Sequence, residues 1–201
     1  VMDESAKRIE KLKSKSWFWL YDLTAKSKFV TKENIDDILS SIKEKNIGLL
    51  HIDIDGNDYH VFKEMNLYFL NPSIIILEYN SLFGLDRAIT IPYRSDFNRT
   101  KAHYSNLFFG ASLRAMNHAA ESKGYSLVGT NITGNNAYFI RKDLLNSKIK
   151  SVNTNIAYNY SKFRESRDPQ GSFSLISGDD RFEKIKGLQV ENILIGQTEP
   201  L

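Results

Sequence analysis

Hydrophobic spacing divides the first part of the chain into alternating short helices and strands. Ala6, Ile9 and Leu12 recur at helical intervals with lysines between them, which predicts a surface helix over residues 5–15. The aromatic stretch 17–21 fits either a strand or a packed extension of that helix, and residues 26–30 fit a short strand. Thr31 stands as a cap before Ile35, Ile38, Leu39 and Ile42, an i, i+3, i+4, i+7 stripe that predicts a second helix. Asn46-Ile47-Gly48 ends it, and an apolar strand follows over residues 49–54. Tyr59, Phe62 and Met65 then return to helical spacing. After Asn71-Pro72 comes Ser73-Ile74-Ile75-Ile76-Leu77-Glu78, an apolar run of strand length that predicts a strand buried on both faces.

From residue 81 to residue 109 no period persists, and a stretch this long, rich in aromatics, Arg and His, predicts a lid or binding loop. Residues 110–123 form a helical pattern with Leu113, Met116 and Ala120 inward and Gly124 as its stop. Residues 125–129 and 137–141 read as strands around a polar, Gly-containing connection, an antiparallel hairpin. Beyond Leu145 the apolar density falls, and Asp168-Pro169-Gln170-Gly171 and Ser177-Gly178-Asp179-Asp180 signal turns. The expectation is an α/β domain over residues 1–145 and a loosely structured C-terminal arm over 146–201, packing on it or extending from it. Alternation of this kind implies a doubly wound, mainly parallel sheet, closed here by the antiparallel hairpin.

Composition narrows the picture by exclusion. Charged residues at 25% and apolar residues at 41% are ordinary globular values, which excludes disorder. The net charge of +3 comes with no basic block interleaved with aromatics, so nucleic acid is not an expected partner. The absence of Cys rules out a disulfide framework and thiolate metal sites and fits a cytoplasmic location. No apolar stretch approaches the ~20 residues that span a bilayer. Val1-Met2 followed by Asp3-Glu4 reads as the tail of a strand, so the chain is expected to begin inside a domain.

Chemistry concentrates in the run Gly48-Leu49-Leu50-His51-Ile52-Asp53-Ile54-Asp55-Gly56-Asn57-Asp58-Tyr59. Asp, Asn and Gly are residues that strands exclude, and here they crowd the carboxyl end of one. Ligands of open α/β sheets bind just beyond such ends. Asp53 and Asp55 share a strand face, so their charges repel unless a cation or hydrogen-bond donors intervene. That suits a general base, a contact to a cationic group or a divalent metal. The alternative is structural, one Asp capping the next helix and the other bonding turn amides. His51, one step deeper on the same face, is expected in the core.

These residues resemble the fourth-strand motif of FkbM-like methyltransferases, in which Ile-Asp-x-(Asp/Glu)-Gly ends the strand. Ile74-Ile75-Ile76-Leu77-Glu78-Tyr79-Asn80 is similar to the family's fifth strand. Phe109-Gly110-Ala111-Ser112-Leu113 resembles the next helix start, and Gly124-Tyr125-Ser126-Leu127-Val128-Gly129 and Asn135-Asn136-Ala137-Tyr138-Phe139-Ile140-Arg141 the last strands. Phe163-Arg164-Glu165-Ser166-Arg167-Asp168 with Gly187-Leu188 is similar to tails of related bacterial proteins linked to surface polysaccharides. The resemblance runs from Asp3 over most of the chain. It implies a Rossmann-like class I methyltransferase fold and S-adenosylmethionine as cofactor. It further implies O-methylation of a sugar or other small hydroxyl acceptor in polysaccharide or glycan biosynthesis. The family's glycine-rich turn has no counterpart, since no Gly-x-Gly occurs in the sequence; counted from the motifs, the first strand and its loop should lie upstream of Val1.

Methyl transfer from a sulfonium is an in-line displacement that needs alignment, a water-poor pocket and often a base for the acceptor hydroxyl. The resemblance implies that a carboxylate at the end of the second strand holds the cofactor's ribose, which makes Asp3 and Glu4 candidates; the alternative is an acidic helix start. Asp53, Asp55 and Glu78 are the catalytic candidates, with Asp53 also facing the cofactor. Asn57, Asp58, Asn80, His103 and Tyr104 are the candidates on the acceptor side. No metal ligand set is assigned.

Four other readings compete. Asp53-x-Asp55-Gly56 also resembles the Mg-dependent haloacid-dehalogenase phosphatases, which expect Thr or Val where Asn57 stands. Oxygen donors at Asp53, Asp55, Asn57 and Asp58 suit Ca²⁺, but the EF-hand loop places its Gly at position six and Gly56 is at four. Asp-x-Asp occurs in Mn-dependent glycosyltransferases too. The non-enzymatic alternative is a methyltransferase-like binding module without the cofactor loop.

Overall fold

Met2–Asp3 (β1) pairs in parallel with Lys26–Ser27 (β2), the two joined through helix Ala6–Lys13 (α1). Ser5 caps α1, its Oγ accepting from the Arg8 N–H, and Ile9 is the one buried residue of α1. The aromatic stretch that fitted strand or helix is a single 3₁₀ turn, Phe18–Leu20. The next helix is Ile35–Ser40 (α2). Thr31 does not cap it. Asn34 holds that position, and its Oδ1 turns back to accept from the Thr31 N–H.

Leu49–Ile52 (β3), Asp58–Glu64 (α3) and Ile74–Glu78 (β4) follow, then the short elements Ile89–Thr90 (β5) and Arg99–Ala102 (α4). Leu113–Ser122 (α5) leads to Tyr125–Thr130 (β6) and Asn136–Arg141 (β7). The computed structural model describes all 201 residues, and past Leu145 it contains helices Thr154–Ala157 (α6) and Asp180–Ile185 (α7) and strands Gln189–Asn192 (β8) and Gln197–Pro200 (β9). Turn signals alone gave no hint of that hairpin.

The protein is a mixed α/β fold with three sheets rather than one mainly parallel sheet. β1 and β2 form the first; β3-β4-β7-β6 form the second; β5-β8-β9 form the third. Only β1–β2 and β3–β4 are parallel pairs, while β4–β7, β6–β7, β5–β8 and β8–β9 are antiparallel. The hairpin expected from residues 125–141 is β6–β7.

The main core lies on one face of the second sheet. Ile52, Ile75, Leu77, Leu127, Ala137 and Phe139 pack there against Val61 and Phe62 of α3 and Leu113, Met116 and Ala120 of α5. The other face is open at one end: the paired residues Leu49 and Ile74 are 52% and 39% exposed. β4 is therefore buried on both faces only toward Glu78, its second face being exposed at Ile74 and half-buried at Ile76. His51 shares the open face and is exposed, not in the core.

The stretch expected to be a lid mostly forms a second core. Leu82, Phe83, Ile89, Ile91 and Leu107 through Phe109 pack with Ile185, Val190 and Leu201 from the C-terminal segment. Gly134 marks another contact with that segment: a Cβ there would lie 2.4 Å from the Asn159 carbonyl oxygen and 2.6 Å from the Ser161 nitrogen. No helix is long and apolar enough to cross a membrane.

Candidate functional site

A crevice of about 400 Å³ lies where the carboxyl ends of β1, β2 and β3 converge. Asp3 and Glu4 line it from β1, Lys28 to Val30 from β2, and Asp53, Ile54, Asp55 and Asn57 from β3. Its far wall is Phe97 to Thr100 and Asn106, with Glu165 contributed by the C-terminal segment. That volume lies within the range of small-ligand pockets.

The β3 corner is held by Asp58. Its Oδ1 accepts from the Ile54 N–H at 2.8 Å and its Oδ2 from the Gly56 N–H at 2.9 Å. Asp58 is fully buried, and burial raises its pKa to about 6 against the pull of those two donors. The turn puts Asp55 in the left-handed region at φ 56°. Gly56 is needed for close approach, since a Cβ there would fall 2.2 Å from Cδ1 of Phe97.

Around that corner the carboxylates divide into committed and free ones. Asp3 accepts from the Ser5 N–H at 2.7 Å and pairs with Arg8 at 3.0 Å, so it serves the start of α1. Asp55 pairs with Arg99 at 2.6 Å and more loosely with Arg164 at 3.5 Å. Glu78, at the end of β4, takes Arg164 at 2.7 Å. The side chains of Glu4 and Asp53 have no hydrogen-bond or ion-pair partner and face the crevice.

Glu78 is 2% exposed, and its Oε2 has no hydrogen-bond partner. Burial pushes its pKa up to about 8, only partly offset by Arg164 and reinforced by Asp58, Asp53 and Asp55. One oxygen each from Asp53, Asp55 and Glu78 lies within 4.8 Å of the others, a grouping that can hold a divalent cation. A cation is already in place, however: the Arg164 guanidinium contacts two of the three. Arg99 and Arg164 also lie against the Phe109 ring, at 4.5 and 4.4 Å.

Of the remaining candidates only Asn57 lies on the crevice wall. Asn80 is fully used inside the fold, donating to the Leu107 and Phe109 carbonyls and accepting from the Leu82 N–H. His103 bonds the Ser105 hydroxyl at 2.8 Å and packs on Tyr104 at 4.3 Å, with neither on the crevice lining. Asp58 is occupied by its turn. Asn57 does line the crevice; its Nδ2 donates to the Arg94 carbonyl and its buried Oδ1 is unpartnered.

The family model described as Methyltransferase FkbM domain matches residues 4–125. The chain belongs to the FkbM methyltransferase family. No curated protein and no solved structure matches it. The match begins at Glu4 and takes in the whole β3 corner and Glu78, so Glu4, Asp53, Asp55 and Glu78 are FkbM-domain residues, while Asp3 and Glu165 of the crevice wall fall outside it. It ends before Arg164, which reaches Glu78 from outside the matched span. The matched family is one of methyltransferases, not of phosphatases or glycosyltransferases.

Sequence reasoning missed Arg99, Arg164, Phe97 and Phe109. All four lay in stretches already singled out, Phe97, Arg99 and Phe109 in the Arg- and aromatic-rich loop and Arg164 in the Phe163-Arg164-Glu165 run. Nothing local in the sequence tells that Arg164 meets an acid 86 residues earlier in the chain, because only the folded C-terminal segment brings them together.

Proposed function

We propose that the protein is an S-adenosylmethionine-dependent methyltransferase acting on a small hydroxyl acceptor, a sugar being the favoured class. The observation that carries this reading is the pair of uncommitted carboxylates, Glu4 and Asp53, facing one crevice from the ends of β1 and β3. A cofactor with ribose hydroxyls and a sulfonium fits that donor set, since hydroxyls donate to carboxylates and the sulfonium charge is favoured beside them. Bound there, it would supply an electrophilic methyl group.

The chain's own residues do the rest. Glu4 accepts from the ribose hydroxyls, while Asp3 fixes the start of α1 beside it. Asp53 orients the acceptor hydroxyl and takes its proton as the oxygen attacks. Glu78 holds a proton near neutral pH, so the buried corner carries less negative charge than three ionised acids would. Arg99 and Arg164 fix Asp55 and shield the corner from water by stacking on Phe109. We also read the first and second sheets as flanks of one Rossmann-like sheet. Support comes from the shared direction of β1 to β4, whose carboxyl ends all meet the same corner.

Calorimetry with S-adenosylhomocysteine tests the reading, on protein carrying any residues that precede Val1 in its gene. Binding that Glu4→Gln and Asp53→Asn each weaken is expected, together with methyl transfer to sugar acceptors that Asp53→Asn abolishes. No binding by the intact protein would sink the enzyme reading. It would favour the binding-module alternative, whose own support is that residues 1–201 contain no Gly-x-Gly.

A further inference from the structure

The strands β1 to β3 end at the crevice and β4 ends at its β3 corner, so the segments entering them, 14–25, 41–48 and 65–73, all start on the side away from it. That end is unusually rich in exposed rings. Trp19 is 77% and Tyr68 81% exposed, and Trp17, Leu20, Tyr21 and Phe69 are exposed beside them in the chain. A depression of about 840 Å³ opens beside Tyr68 and Phe69, rimmed also by Lys45 and Lys123.

The charge sits at the same end. Lys11 and Lys13 fill the last turn of α1, and Lys15, Lys43 and Lys45 lie in the connecting segments, against Asp22 and Glu44. Residues 11–25, 41–48 and 65–73 thus carry five cations and two acids, which equals the whole chain's net +3 and leaves the remainder neutral.

We propose that this end docks on an anionic lipid bilayer, with the crevice facing away from it. Trp and Tyr rings are amphipathic and settle at headgroup depth, and lysine stems lie along apolar surface while their ammonium groups reach lipid phosphates. The depression gives headgroups room between Lys45 and Lys123. Two other occupants fit less well. The rings pack edge-on against each other, Trp17 with Tyr21 at 70° and Tyr68 with Phe69 at 83°, so they offer no parallel platform for stacked bases. A second copy docking by the same face would set lysines against lysines.

Trp17 and Trp19 are the chain's two tryptophans, so tryptophan emission reports on this surface alone. Vesicles of phosphatidylcholine with phosphatidylserine should shift the emission to shorter wavelength. They should also sediment the protein at least about tenfold more efficiently than pure phosphatidylcholine, with high salt reversing both effects. Lys13→Glu combined with Lys45→Glu should abolish both while leaving the circular dichroism spectrum and S-adenosylhomocysteine binding intact. Trp19→Ser should weaken sedimentation with the charge unchanged. Four outcomes would overturn the proposal: equal response to neutral and anionic vesicles, no response to either, an emission shift with protein concentration alone, or a shift produced by single-stranded oligonucleotide and not by vesicles.

Discussion

Arg164 and Glu78 form the deepest ion pair of the site, Nη2 to Oε1 at 2.7 Å with the carboxylate 2% exposed. The two come from opposite sides of the family domain's boundary, β4 within the matched span and the C-terminal segment beyond it. Glu78 keeps a raised proton affinity despite this partner, because burial penalises its charged form and three other acids stand nearby. The pair therefore responds to pH in a way that an exposed salt bridge would not.

Stability should fall as pH rises through neutrality. Glu78 has a folded pKa near 8, above the ordinary 4.5, so the folded state binds more protons than the unfolded chain between those values. Unfolding free energy then decreases with pH, by up to about 1.4 kcal/mol per unit. Asp58 acts in the same direction, but its window closes near pH 6. Urea midpoints from about pH 6.5 to about pH 8.5 isolate Glu78. Glu78→Gln should flatten the slope there, and an unchanged slope in that variant would count against the assignment.

Replacing Arg164 by Leu should cost more at high pH than at low pH. With Glu78 protonated the loss is a hydrogen bond and the stacking on Phe109, about 1–2 kcal/mol. With Glu78 ionised the buried charge has no cation at all, and the loss approaches about 3–5 kcal/mol. Denaturant titrations at the two pH extremes give both numbers, and equal losses would mean that Arg164 acts by packing alone.

Much of this was legible in the sequence, for local reasons. The helices α1, α2, α3 and α5 announced themselves through apolar stripes, and the Asp53–Asp58 cluster through residues that a strand does not tolerate. Which carboxylates are free was not legible. Asp3 and Glu4 are adjacent, and only the position of Ser5 and Arg8 at the start of α1 decides that Asp3 is occupied. Asp58 reads as a functional acid until the fold turns both its oxygens onto backbone amides. Of the lid or binding loop expected over residues 81–109, Phe97 to Thr100 and Asn106 do wall the crevice, but much of the stretch is core, and its hydrophobic residues have no local period because their partners, Ile185, Val190 and Leu201, are at the other end of the chain.

Asp58→Ala should destabilise the protein strongly. Both carboxylate oxygens accept from backbone N–H groups of the β3 corner, and the site is sealed from water. Two donors left without acceptors cost about 2–5 kcal/mol together. Asp58→Asn keeps one acceptor and should lose roughly half as much. Thermal melts rank the series; a residue acting only on substrate would leave them unchanged.

Gly56→Ala should be rescued by shrinking Phe97. The new methyl would overlap the ring, which is 9% exposed and packed in the second core. Overpacking of this kind costs about 1–3 kcal/mol, and Phe97→Ala alone leaves a cavity costing about 3–5 kcal/mol. The double variant should lose less than the sum of the two. A double-mutant cycle by urea unfolding measures the coupling, and strict additivity would show that the clash is relieved elsewhere.

Asp3 and Glu4 should separate cleanly by measurement, although they are neighbours. Glu4→Gln removes a carboxylate with no partner in the fold, so stability should change by less than about 0.5 kcal/mol. If Glu4 holds ribose hydroxyls, S-adenosylhomocysteine affinity should fall about tenfold or more, since hydrogen bonds to a charged group are worth about 1.5–3 kcal/mol. Asp3→Asn should do the reverse. It loses the Arg8 pair and weakens the bond to the Ser5 N–H, so α1 loosens while direct ligand contacts stay in place. Calorimetry and melting curves on the two variants give a two-by-two pattern. A larger affinity loss in Asp3→Asn than in Glu4→Gln would transfer the ribose role to Asp3.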